Sequence, residues 1–121
     1  MPRESFLKNR IKSVGFALRG AWVLIRTERS IKIQVCIALL VTAAGFYYEI
    51  STTEWILQTL AIALVLGVEG LNTAVEKIAD YIQPRYDRKI GFIKDVAAGA
   101  VMLVALGAAI VGLIIYVPRV F

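Results

Sequence analysis

Histidine is absent from the 121 residues, and cysteine occurs once, at Cys36 inside an apolar run. These absences exclude a disulfide framework and a cysteine-based zinc site. They also exclude any nucleophile that needs an imidazole to take its proton. Charge is scarce as well: 19% of the residues are Asp, Glu, Lys or Arg, against 59% hydrophobic. An average globular domain carries more charge and less apolar content. A soluble domain of this size exposes much of its surface and has nowhere to hide so many Leu, Ile, Val and Ala side chains. The composition therefore places the chain in a membrane, as one domain over residues 1–121. The start, Met1-Pro2-Arg3-Glu4, lacks the apolar core and small-residue cleavage site of a signal peptide, so the first residues are expected to be retained.

What is present is a set of long uncharged runs. Residues 33–48 carry no charge, residues 55–75 carry only Glu69, and residues 96–118 carry none. About 20 mainly apolar residues cross the hydrocarbon core as a helix. The first run is short, but Ile31 extends it and the Lys32 stem can lie along apolar surface with its ammonium in water. The runs predict an all-α integral membrane protein with spans at about 32–49, 55–80 and 96–118. Lys and Arg set the orientation: residues 1–32 hold eight, the 49–54 turn none, the 77–94 loop five, and the tail only Arg119. By the positive-inside rule the N-terminus and the 77–94 loop are cytoplasmic, which suits an inner (cytoplasmic) membrane.

Residues 1–31 form a different kind of segment. Leu7, Ile11, Val14, Leu18, Ala21 and Ile25 follow one helical stripe, while Lys8, Lys12, Arg19 and Arg26 repeat on another. That pattern suits a basic amphipathic helix lying in the interface, with Trp22 as an anchor. A merely solvated basic face explains this segment equally well. The net charge of +5 points to an anionic lipid surface. Nucleic acid does not fit, because the basic residues flank membrane spans and are not interleaved with exposed aromatics.

Acids inside or beside a span are expensive and mark candidate sites. Glu69 follows the uncharged residues 61–68 with no other charge until Glu76, and Asn72, Thr73, Glu76 and Asp80 lie near the same helical side. A polar stripe of this kind also serves as glue between helices. Several carboxylates in line repel one another unless they share a hard cation such as Mg²⁺, which favours one or two carboxylates plus substrate phosphates. Glu28, at the end of the surface helix, can reach the same depth. The cations of the 86–89 loop and Lys94 stand where a phosphate would approach, although Arg88 and Lys89 also read as ordinary flanking charge. Phosphate loops, dinucleotide glycine motifs and protein-kinase motifs are all missing.

Val68-Glu69-Gly70-Leu71-Asn72-Thr73-Ala74-Val75-Glu76, followed by Lys94-Asp95-Val96-Ala97-Ala98-Gly99-Ala100, resembles the signature of the small prokaryotic integral-membrane diacylglycerol kinase family, which includes undecaprenol kinases. The resemblance covers nearly the whole chain. It implies a homotrimer with composite active sites, ATP and Mg²⁺, and transfer of the γ-phosphoryl to a lipid hydroxyl. It makes Glu69 the general base and Glu28 and Glu76 the metal-binding acids, which also face the nucleotide. Lys94 and Asp95 become the nucleotide-contacting pair, and Arg10, Glu69 and Asn72 contact the lipid substrate. Arg85 and Asp87 stand where the diacylglycerol kinases can carry an acid and a His, so no nucleotide role passes to them.

These expectations combine into an ATP- and Mg²⁺-dependent kinase that phosphorylates diacylglycerol to phosphatidic acid. Diacylglycerol leads on the family's name alone, while Thr27-Glu28-Arg29 and Asn72-Thr73-Ala74 resemble the undecaprenol branch. Small residues at Ala63/Gly67, Gly70/Ala74 and Ala108/Gly112 permit the close helix contacts of a trimer. Two other classes use the same residues differently. A small membrane scaffold would tolerate loss of the acids, and an ion pathway would conduct without releasing ADP.

Overall fold

The computed structural model describes residues 5–121, and the retained start and the first part of the expected surface helix, residues 1–4, lie outside them. Four helices follow in order: α1 (Phe6–Thr27), α2 (Arg29–Tyr47), α3 (Thr52–Ile82) and α4 (Arg88–Val120). Among the described residues there is no strand. The helices α2, α3 and α4 are long and apolar enough to cross a membrane. They leave large apolar side chains such as Leu39, Leu64, Leu103 and Ile114 exposed, a surface that suits lipid and not water. The interior is correspondingly small, with Ile31, Val65, Ala79 and Ile115 among its buried members.

Each helix has a local reason to begin. Ser5 caps α1, its side chain accepting from Lys8 N at 3.1 Å. Ser51 and Glu54 form a reciprocal capping box on α3: Ser51 N donates to Glu54 Oε1 at 2.9 Å, and Glu54 N donates to Ser51 Oγ at 3.2 Å. Asp87 caps α4 by accepting from Lys89 N and Ile90 N at 2.9 and 3.2 Å.

The ends are equally local. The break between α1 and α2 is a single residue, Glu28, with extended backbone angles of φ −98° and ψ 120°. Beside it Thr27 Oγ1 donates to the Val23 carbonyl at 2.6 Å, a back-bond that competes with the helical ladder. The surface helix therefore stops at Thr27, before the expected residue 31, and Glu28 becomes a hinge between elements. At the far end of α2 the chain reverses through Glu49 at φ 51°, with Ile50 N donating to Gly45 O at 3.1 Å and Glu49 N to Phe46 O at 3.3 Å. This is a Schellman closure with an acid where glycine usually stands. Gly45 is required there, because a Cβ would fall 2.6 Å from the Trp55 ring.

The spans run longer than the charge-free windows. The 31 residues of α3 make a rod of about 46 Å at ~1.5 Å per residue, against ~30 Å of hydrocarbon. Charge tells where a helix meets water, while backbone hydrogen bonding carries it onward into the headgroups. The most extensive packing is between α3 and α4, then between α2 and α3, with α1 resting on α2. At the end opposite the basic residues, Tyr116 Oη donates to Val41 O and Gln58 Oε1, and Gln58 Nε2 donates to Val41 O. These bonds tie all three spans. One turn outward, Arg119 makes a two-pronged pair with Glu54 at 2.9 and 2.7 Å.

Candidate functional site

The polar stripe of α3 changes character along its length. Glu69 and Thr73 are buried, 7% and 5% exposed, and Asn72 is half-buried. Glu76, Lys77 and Asp80, farther toward the basic end, are exposed. Counted from Thr52, a hydrocarbon crossing of about 20 residues ends near Leu71, two residues past Glu69. By that count the buried acid stands near the border of an apolar crossing, and the exposed charges follow it toward the basic end.

Among the described residues the Glu69 carboxylate has no hydrogen-bond or ion-pair partner. An unpartnered carboxylate on a residue that is otherwise buried calls for an explanation in a native fold. One turn onward Asn72 Nδ2 donates to Glu76 Oε1 at 3.3 Å, while Asn72 Oδ1 is buried and also unpartnered. Unused acceptors on two side chains, the Glu69 carboxylate and the Asn72 amide oxygen, therefore lie within one turn of α3. They can accept a hydroxyl proton or meet a cation.

The other expected site residues come from neighbouring elements. Glu28, at the α1–α2 hinge, reaches α3 through Lys77, with Nζ 3.5 Å from Glu28 Oε1. Leu24, one turn earlier, sits over Gly70, where a Cβ would approach its Cδ1 to 3.0 Å. Gly70 thus serves the approach of α1 to α3 within the chain. Lys94 of α4 pairs with Asp80 at 2.5 Å. Asp95 is exposed and, among the described residues, unpartnered. Arg10 stays on its own helix, with its guanidinium 5.5 Å from the Phe6 ring centroid.

The structure brings together Asn72 with Glu76, Glu28 with Lys77, and Lys94 with Asp80; it gives no direct contact between Glu28 and Glu76. Lys77 entered the sequence reading only as loop charge and Asp80 only as part of the stripe. Opposite signs three residues apart on α3 were the available signal, but their partners lie on other elements.

Among the described residues no group of three or more carboxylates or thiols gathers as a ready-made metal cage. The donors on hand are nevertheless hard oxygens: Glu28, Glu76 and the orphaned Asn72 Oδ1. That set suits a cation such as Mg²⁺, which takes one or two protein carboxylates and completes its shell with water and phosphate oxygens. Oxygen donors of this kind, with a lysine on a neighbouring helix, are groups that phosphoryl transfer to a hydroxyl can use.

Comparison with known proteins gives the family. Residues 15–116 match the model of the family described as prokaryotic diacylglycerol kinase. An undecaprenol kinase from Bacillus subtilis is 38% identical over 108 residues, covering 89% of this chain and 88% of that protein. A diacylglycerol kinase from Synechocystis is 31% identical over 111 residues, covering 91% of this chain and 63% of that protein. The diacylglycerol kinase of Escherichia coli is 28% identical over 103 residues, covering 83% and 82%. The match spans the polar stripe of α3, the hinge and the start of α4 together, and so the chain belongs to the prokaryotic diacylglycerol kinase family and is a membrane-embedded, ATP-using lipid kinase.

Proposed function

We propose that this lipid kinase transfers the γ-phosphoryl of ATP, taken up with Mg²⁺, to the hydroxyl of an undecaprenol-type polyprenol. Diacylglycerol, giving phosphatidic acid, is the competing acceptor. Diacylglycerol led while only the family's name bore on the choice. The 38% identity to a relative named undecaprenol kinase, over nearly the full length of both chains, moves the lead. It agrees with the local wording around Glu28 and Asn72.

The observation that carries the reading is the buried, unpartnered Glu69 at the border of the apolar layer. A lipid alcohol places its hydroxyl at that depth. Glu69 orients the hydroxyl and accepts its proton as the oxygen attacks the γ-phosphorus, and the bond from that phosphorus to the bridging oxygen of ADP breaks. Asn72 holds Glu76 and keeps its own Oδ1 turned to the same locality. Glu28 and Glu76 would hold Mg²⁺, which when bound neutralises charge on the triphosphate. Lys94 offsets the remaining negative charge, Asp95 completes the nucleotide side, and Arg10 contacts the lipid from α1.

The basic end faces the cytoplasm in this proposal, as the distribution of Lys and Arg supports, and the membrane is the inner one. The active unit is a homotrimer: Gly67 and Gly112 have open space where a Cβ would stand, and another copy's helix can approach closely there.

The test is competition. Both lipids are presented at equal mole fraction in one bilayer with labelled ATP and Mg²⁺, and the products are separated by chromatography. A preference of tenfold or more for undecaprenol, about 1.4 kcal/mol in the transition state, is expected. A comparable preference for diacylglycerol reverses the acceptor, and no lipid product overturns the site.

A further inference from the structure

Four alternating charges cross the basic end of the molecule in a row: Glu28, Lys77, Asp80, Lys94. The outer two come from the α1–α2 hinge and from α4, and the inner two stand three residues apart on α3. Lys77 Nζ is 3.5 Å from Glu28 Oε1, and Lys94 Nζ is 2.5 Å from Asp80 Oδ1. Both outer residues have ligand roles in the proposed reaction, Glu28 toward a divalent cation and Lys94 toward phosphate. Each is paired with a side chain whose charge has the sign of the ligand it awaits. An ammonium stands where the cation is to go, and a carboxylate stands where the phosphate is to go.

We propose that Lys77 and Asp80 are an internal surrogate for the metal–nucleotide pair, occupying Glu28 and Lys94 until the ligand displaces them. The inference rests on the assignment of Glu28 and Lys94 made above. Its physical basis is charge balance. Among the described residues, Glu28 would lose its only ion-pair contact without Lys77, and Lys94 its only one without Asp80. The inner side chains are 71% and 61% exposed, so they can leave into water with little desolvation. Exposed pairs of this kind are weak, which makes them displaceable. Once freed, Lys77 and Asp80 sit at i and i+3 on one helix and can pair with each other. Ligand entry therefore leaves no charge stranded. In this role they are positioning residues that act through Glu28 and Lys94.

The experiment measures equilibrium binding to the full-length protein in a bilayer, apart from turnover. Asp80→Asn is titrated with ATP in the presence of a chelator. Lys77→Gln is titrated with Mn²⁺ alone, with free Mn²⁺ counted by its paramagnetic resonance signal. Removing a competitor of this strength is expected to tighten each affinity about three- to fivefold. Asp80→Ser and Lys77→Met, which delete the same charges with different shapes, must tighten binding equally, while Asp80→Glu and Lys77→Arg retain wild-type affinity. The gain from Asp80→Asn must vanish in a Lys94→Gln background, and that from Lys77→Gln in Glu28→Gln. Unchanged or weaker binding overturns the proposal, and so does a gain that persists in those backgrounds. If Lys94→Gln and Glu28→Gln themselves leave binding untouched in the otherwise wild-type protein, the assignment of the site has failed instead.

Discussion

At the end of the bundle that carries Glu54 and Arg119, those two residues together with Gln58 and Tyr116 all hold partners, whereas toward the basic end the Glu69 carboxylate and Asn72 Oδ1 hold none. Both regions lie on the same helices and both place polar groups among apolar ones. In hydrocarbon an unsatisfied polar group costs several kcal/mol, so its partner must come from the fold or from a ligand. The satisfied end ties α2, α3 and α4 by side chain. The unsatisfied end gives up that stabilisation and leaves acceptors free, which the proposed function assigns to a hydroxyl and a cation. Stability and activity should therefore respond separately to substitutions at the two ends.

The largest effect expected from breaking this contrast is on catalysis. Glu69→Gln should fold and insert normally and lose roughly 10²- to 10⁴-fold in phosphoryl transfer, the usual contribution of a general base. A lipid-kinase assay beside a thermal melt checks both halves. Activity within a factor of a few of wild type would remove Glu69 from the chemistry.

The opposite end should answer in stability. Gly45→Ala forces a Cβ to within 2.6 Å of the Trp55 ring, which is itself held against Phe46 with ring centroids 4.8 Å apart. Overpacking of this kind costs about 1–3 kcal/mol. The melting temperature should fall while specific activity of the folded fraction holds. Tyr116→Phe removes the hydroxyl shared by Val41 O and Gln58 Oε1. Hydrogen bonds between membrane helices average about 0.6 kcal/mol, so a smaller loss is expected in the same measurement, again with activity retained.

The smallest effect is a gain. Glu49 holds a left-handed backbone at φ 51°. Glu49→Gly relieves that strain but adds freedom to the unfolded chain, leaving about 0.5 kcal/mol of net stabilisation. Any loss of stability would mean that the Glu49 side chain supports the turn in some other way.

Much of the fold was legible because membrane insertion is written in charge. The uncharged runs 33–48, 55–75 and 96–118 mark three crossings; α3 and α4 contain theirs, and α2 covers all of the first but its C-cap, Tyr48. Helix ends were less legible. The chain is helical from Arg29 and Arg88, several residues before the apolar windows, because the backbone ladder does not stop where polarity begins. The surface helix ended early for a reason that composition does not register, the extended conformation of Glu28. In the stripe, spacing alone aligned Glu69, Asn72, Thr73, Glu76 and Asp80. The burial of the first and the exposure of the last depended on what packs beside α3.

The sequence by itself determined that the chain belongs in a membrane, how many helices cross it, and which residues of α3 share a side. Each of those follows from local periodicity and from the cost of charge in hydrocarbon. Only the tertiary structure decided that Glu69 is left without a partner, that Gln58 and Tyr116 join the three spans, and that Lys77 and Asp80 stand against Glu28 and Lys94. Such pairings join residues 14 to 75 positions apart in the chain. Their energies depend on distances of a few ångströms between separate helices, which no helical period encodes.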